Sequence, residues 1–141
     1  LILGQSIPKP KYLARYRVAD LFLDTHPYNA GTTASDALKM GLPMITYLGN
    51  AYQARMGASI VNALNLPELI TNSLEEYEAL AIELAMNPDK LKTIKDKLQA
   101  NLNTAPLFDT PLFTKNIESA YTQMYERHHA GLEPDHIYVE N

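Results

Sequence analysis

The strongest constraint on the fold is an alternation that begins at Asp20. Asp20-Leu21-Phe22-Leu23-Asp24 is a compact apolar run bounded by aspartates, and Thr25-His26-Pro27-Tyr28-Asn29-Ala30-Gly31 after it is loop chemistry. Thr32 to Met40 then reads as a helix closed by Gly41 and Pro43, since glycine just past a helix end and proline beyond it stop the helical path. A short apolar run flanked by turn residues is the pattern of a buried parallel strand, here expected at the centre of its sheet. Met44 to Leu48 repeats the strand pattern and Ala51 to Asn65 the helix pattern, with Met56, Ile60, Val61 and Leu64 forming an apolar stripe.

The flanking segments extend this order. Leu1-Ile2-Leu3 reads as the end of a buried strand, and Lys11 to Val18 carries Tyr12, Leu13, Arg15 and Tyr16 at helical spacing. Ser73 followed by Glu76 is a capping-box pattern that starts a helix running to about Met86. Asn87-Pro88-Asp89 restarts a helix to about Leu102, and a last helix is expected from about Thr114 to Ala130, ended by Gly131. Strands alternating with helices imply an α/β fold, a Rossmann-like parallel sheet with helices on both faces. The expected organisation is one half-domain over residues 1–131 and a C-terminal tail, 132–141, lying as a surface strap.

In such a sheet a ligand sits beyond the carboxyl ends of the strands, which directs attention to the loop after Asp24 and the helix beginning near Thr32. Gly31 allows close approach of the backbone, and the N–H groups and hydroxyls of Thr32 and Thr33 at a helix N-terminus suit a phosphate. Asp36, one turn on, can hold its carboxylate near the same mouth and accept the two hydroxyls of a ribose. The same residues also fit a ligand-free account, in which Thr32 or Ser35 caps the helix and Asp36 complements its dipole. Spacing alone leaves both open.

Composition excludes several classes. In 141 residues the formal net charge is -4, which offers no basic field for a nucleic-acid backbone, so nucleic acid is not an expected partner. No cysteine is present, which removes disulfides and thiolate metal sites and favours a reducing, cytoplasmic setting. No apolar run approaches the ~20 residues that cross a bilayer, so no membrane role is expected. The chain opens at Leu1 rather than at a methionine, and is expected to be a piece of a longer protein.

The segment from Asp20 through Asp36-Ala37-Leu38, with Gly41-Leu42-Pro43 after it, closely resembles the signature of the O-linked N-acetylglucosamine transferase and SPINDLY family. The resemblance continues through Ala54-Arg55-Met56-Gly57-Ala58-Ser59 to Pro106-Leu107-Phe108-Asp109-Thr110, nearly the whole chain. It implies the second half of a GT-B glycosyltransferase, the half that holds the uridine diphosphate part of a sugar donor, with UDP-N-acetylglucosamine the expected ligand and no cofactor or metal. Family members transfer the sugar to serine or threonine hydroxyls with inversion. The resemblance implies that the catalytic residue, the acceptor groove and tetratricopeptide repeats that recruit protein acceptors belong to an absent N-terminal part, so that this chain alone is inactive. Two other readings stand beside it: a SPINDLY-type enzyme using fucose from a guanosine diphosphate carrier, and a non-catalytic nucleotide-sugar-binding or scaffold domain.

Carried over position by position, the resemblance implies that Thr32 and Thr33 donate to the diphosphate and that Asp36 holds the ribose. Lys9 matches a lysine near the nucleotide, Arg15 an arginine reaching the uracil edge, and Ile7 a position whose backbone reads the base. Asn29 joins the same donor-binding set. Tyr12 and Gly31 stand where the animal enzymes carry histidines, so Tyr12 offers a ring to stack beside the nucleoside and Gly31 opens the floor under the phosphates. Taken without the family, Lys9 and Arg15 read as solvated cations and Tyr12 as an amphipathic helix residue.

Other signals carry less. His128 and His129 near a helix end, and His136 in the tail, suit a helix dipole and surface better than a metal, which wants three or four converging ligands. Ser35, His26 and Asp24 lack the glycine-flanked elbow of a serine hydrolase. The lysines between Lys90 and Lys97 alternate with Leu91, Ile94 and Leu98 as the solvated face of an amphipathic helix.

Overall fold

The computed structural model describes residues 3–139, which fall into two compact units divided between Ala105 and Pro106. Of the strand end expected at Leu1 to Leu3, the first two residues lie outside the described ones, and Leu3 is exposed and not in a strand.

In the first unit, α1 (Lys9–Arg15) runs into a 3-10 turn at Tyr16–Val18, and β1 (Phe22–Leu23), α2 (Thr32–Lys39) and β2 (Met44–Tyr47) follow. A second 3-10 turn, Tyr52–Ala54, leads into α3 (Met56–Ala63), then come β3 (Ile70–Thr71), α4 (Leu74–Met86) and α5 (Pro88–Asn101). The sheet has the order β1-β2-β3 with both pairings parallel, Phe22 facing Met44 and Thr46 facing Ile70. Among the described residues β1 is therefore an edge of this sheet and not its centre, and Leu23 is 56% exposed. β2 takes the centre because it is paired on both sides. Met44, Ile45 and Thr46 are all fully excluded from solvent, and since successive strand residues point to opposite faces, both faces of β2 are covered. α2 and α3 pack against each other and β2, while α4 packs on β2 with α5 beside it.

Local signals explain most boundaries. α2 ends in a Schellman arrangement, with Gly41 at φ 82°, Gly41 N–H donating to Leu38 and Leu42 N–H to Ala37. A residue with a Cβ is strained at that φ. Ser73 caps α4 by accepting from Glu76 N–H at 3.1 Å, while the Glu76 carboxylate reaches one residue further back than the capping pattern expects, to Asn72 N–H at 2.8 Å. β3 carries no apolar alternation of its own; it is defined by pairing with β2 and by the Thr71 hydroxyl donating to the Thr46 carbonyl at 3.0 Å. The lysines of α5 are exposed or partly exposed, as expected of a solvated face, but several meet acids on other elements: Lys90 with Glu83, Lys95 with Asp20 and Lys97 with Glu68. Lys95 holds the Asp20 carboxyl below its usual range through its hydrogen bond and charge.

The second unit consists of a 3-10 turn at Pro106–Phe108, α6 (Thr110–His129) and the tail. α6 starts four residues earlier than the expected Thr114 because Asp109 accepts from Leu112 N–H at 2.9 Å and Pro111 fits the first turn. Gly131, at φ 68°, ends it, and the tail turns back so that Asp135 lies 3.4 Å from the Arg127 guanidinium. Among the described residues no helix is long and apolar enough to cross a membrane.

Gly57, in the first turn of α3, packs so closely on the strand ends that a Cβ there would overlap Asp24 Oδ2 and Thr46 Oγ1. Neither atom can withdraw freely, because they are hydrogen-bonded to each other in the buried interior. Gly57→Ala is expected to lower the unfolding free energy by about 1–3 kcal/mol, the usual cost of overpacking, measured by urea titration.

Candidate functional site

The loop after β1 is organised around the Asp24 carboxylate, which is 7% exposed. Its Oδ1 accepts from Thr25 N–H at 2.9 Å and Ala30 N–H at 2.7 Å, and its Oδ2 accepts from the Thr46 hydroxyl at 2.7 Å. Tyr77 of α4 donates to the Asp24 carbonyl at 2.9 Å. Asp24 thus pins both ends of the loop and sets where the chain re-enters a helix at Thr32. Asn29 is buried as well: its amide nitrogen donates to the Thr25 carbonyl at 2.9 Å and its oxygen accepts from Gly57 N–H at 3.2 Å.

The start of α2 is built differently. Gly31 occupies the N-cap, no side chain caps the helix, and a Cβ added to Gly31 would meet nothing within 4 Å. Ser35 turns its hydroxyl back to the Gly31 carbonyl at 3.4 Å, so the cap expected from Thr32 or Ser35 is not formed. Thr32 and Thr33 are exposed. No side chain caps the backbone N–H groups of this first turn at the positive end of the helix dipole, an arrangement suited to an anion.

Beside this mouth, α1 brings up a cluster. Lys9 forms an ion pair with Asp36, whose side chain is 18% exposed. The Lys9 ammonium also lies 5.1 Å from the centre of the Tyr12 ring. The Tyr12 hydroxyl is hydrogen-bonded to that of Tyr16, the two rings meet edge to face at 5.3 Å, and the Tyr16 hydroxyl donates to the Thr33 carbonyl at 3.4 Å. Burial first, then the Tyr12 phenol and the Asp36 charge, push the Tyr16 phenol well above its ordinary pKa.

Of the residues singled out in the sequence, Tyr12 and Asp36 are thus joined by direct contacts to Lys9, and Thr33 is reached from Tyr12 through Tyr16, with Thr32 and Gly31 adjoining on α2. Arg15 donates to the Gln5 carbonyl at 3.1 Å and lines a hollow of about 340 Å³ with Tyr12, Tyr16 and Leu23, making no contact with Lys9 or Asp36 among those described. Ile7 is half-buried before α1. Asn29 sits inside the loop with both ends of its amide engaged. Tyr16 was not singled out, although its spacing of four from Tyr12 puts both on one helical face. His26 lies against Tyr47, ring centres 4.4 Å apart, and Asp24 is committed to Thr46 and backbone donors, so Ser35, His26 and Asp24 form no triad. Among the described residues no group of three or more His, Asp or Glu side chains converges as a metal site would.

Comparison with known proteins matches residues 1–117 to Glycosyl transferase family 41. The chain is 40% identical over 132 residues to the "Probable UDP-N-acetylglucosamine-peptide N-acetylglucosaminyltransferase SEC" of Arabidopsis thaliana, covering 93% of this chain and 14% of that protein. It is 30% identical over 137 residues to the UDP-N-acetylglucosamine-peptide N-acetylglucosaminyltransferase of Caenorhabditis elegans, covering 97% of this chain and 12% of the relative. A solved mutant of the Thermobaculum terrenum O-GlcNAc transferase superposes with a TM-score of 0.80 at 33% identity, over 84% of this chain and 23% of that one. The chain therefore spans a small part of each of these proteins.

The surroundings of Asp24 also make stability sensitive to alkali. Burial, and then the nearby Asp24 charge, push the Tyr77 phenol from 10.0 up to about 12. A phenol whose pKa is raised by folding contributes fully below its unfolded value and loses that contribution as pH climbs through the folded value. Stability is expected to decline between about pH 10 and 12, with Tyr16, whose phenol is also raised from 10.0, adding to the slope throughout and beyond; Tyr77→Phe should flatten part of this decline in denaturation curves taken across that range.

Proposed function

Because the chain belongs to glycosyl transferase family 41, we propose that the mouth of α2 is the donor site of a protein O-glycosyltransferase that takes its sugar from a uridine diphosphate carrier, with N-acetylglucosamine as the transferred group. The observation that carries this reading is the uncapped first turn of α2 standing beside the Lys9–Asp36 pair at the carboxyl end of β1. A diphosphate brings about two negative charges, and in an acidic chain they must be met locally. The N–H groups and hydroxyls of Thr32 and Thr33, the helix dipole and the Lys9 ammonium supply that compensation, and the absence of a side chain at Gly31 leaves room for the phosphates.

Asp36 accepts the ribose hydroxyls in this reading, the Tyr12 ring lies beside the nucleoside, and Arg15 with the backbone at Ile7 reads the base edge. Asn29 acts from within the loop by fixing the backbone that leads to Gly31. In the free chain Lys9 neutralises Asp36; a bound nucleotide replaces that pair with two separate contacts, the ammonium to phosphate and the carboxylate to ribose. Transfer itself needs an acceptor hydroxyl held about 3 Å from the anomeric carbon, and that positioning, with the catalytic group, belongs to other parts of the longer family proteins.

Calorimetric titration with uridine diphosphate and guanosine diphosphate tests the reading, which expects the uridine form to bind more tightly. A preference for the guanosine form would overturn the donor assignment, and binding of neither would overturn the site. Asp36→Ala is expected to weaken uridine diphosphate binding by roughly 1.5–3 kcal/mol, the usual worth of hydrogen bonds to a charged group, with the circular dichroism spectrum unchanged.

A further inference from the structure

We infer that Tyr16 is a positioning residue of this site: its hydroxyl fixes the Tyr12 ring where the nucleoside meets it, and it acts through Tyr12 without touching the ligand. The inference rests on the nucleotide reading of the α2 mouth.

Two links join α1 and the turn after it to α2, and Tyr12 lies between them. One is the Lys9–Asp36 ion pair, with Lys9 over the Tyr12 ring; the other is the Tyr16 hydroxyl on the Thr33 carbonyl. A carbonyl only accepts, so the Tyr16 proton is directed to Thr33 and the Tyr12 hydroxyl is the donor in the bond between the two phenols. Tyr12 is therefore held at its face by Lys9 and at its hydroxyl by Tyr16.

These two restraints differ in what a ligand does to them. A nucleoside diphosphate that engages Asp36 through ribose and Lys9 through phosphate draws Lys9 away from the Tyr12 face. The bond to Tyr16 remains, and through Thr33 it refers the ring to the same helix turn that meets the phosphates. Holding the ring before the ligand arrives lowers the ordering cost of binding.

The test is a double-mutant cycle on the 141-residue chain, with calorimetric titration of uridine diphosphate into the unsubstituted protein, Tyr16→Phe, Tyr12→Phe and the double variant. Each single change removes one hydroxyl and keeps its ring. Each is expected to weaken binding about five-fold, as for one net hydrogen bond, and the double variant to lose no more than the weaker single. Thermal melts of the unliganded variants separate this from a purely structural role, which would lower the melting temperature and leave the affinity of the folded protein unchanged. Unchanged affinity in folded Tyr16→Phe, or independent losses that multiply to about 25-fold in the double variant, would overturn the assignment. Failure of the unsubstituted chain to bind uridine diphosphate would overturn the nucleotide reading and this inference together, a result distinct from either.

Discussion

The structure turns on a carboxylate placed where solvent does not reach. Asp24 is the one charged side chain among the described residues that is buried, and an ionised group there is tolerable only when its oxygens are fully engaged. Its donors come from Thr25 and Ala30 at the two ends of one loop, and from Thr46 on the central strand. Meeting that demand closes the loop, joins it to β2 and draws the first turn of α3 in until only a glycine fits at position 57. Tyr77 adds the Asp24 carbonyl to the same knot and ties α4 to it. The position of the α2 N-terminus is a consequence of this arrangement.

Rigidity behind the site contrasts with exchangeable contacts in front of it. Asp24 and Asn29 are committed inward, so the backbone entering α2 is held from below. The Lys9–Asp36 pair faces partly open water, with the Lys9 side chain 58% exposed, and pairs in that setting contribute little to stability, about 0–1 kcal/mol. Such a pair can give way to ligand contacts without loosening the fold. The proposed nucleotide site would draw on this division, with the scaffold setting the geometry and the surface pair free to exchange for ligand contacts.

Much of the architecture could be read from local chemistry. Gly41 after a periodic segment, Ser73 three residues before Glu76 and Gly131 past the last helix each act within a single turn of chain, so their effect does not depend on distant partners. β3 escaped because two residues, Ile70 and Thr71, hold no period to detect; their strand character comes from β2. β1 was recognised as a strand but expected at the centre, because an apolar run reports burial in general and not the number of neighbours. In the described chain Phe22 and Leu23 are paired on one side only.

For the site, the sequence by itself determined that Gly31, Thr32, Thr33 and Asp36 share the start of a helix after a parallel strand, because strand, loop and helix are local properties and ligands collect at that edge. It also brought Lys9, Tyr12 and Arg15 into consideration, through resemblance to a family. Only the tertiary structure decided that Lys9 meets this helix, that Tyr12 is held beside it by Lys9 and Tyr16, that the Arg15 guanidinium is taken up by the Gln5 carbonyl, and that Asn29 serves the loop from within. Those choices depend on contacts such as Lys9 to Asp36 and Asn29 to Gly57, which join positions nearly thirty residues apart. Periodicity reports which face of an element is apolar; which polar groups meet across two elements is fixed only when packing sets their distance and removes water from between them.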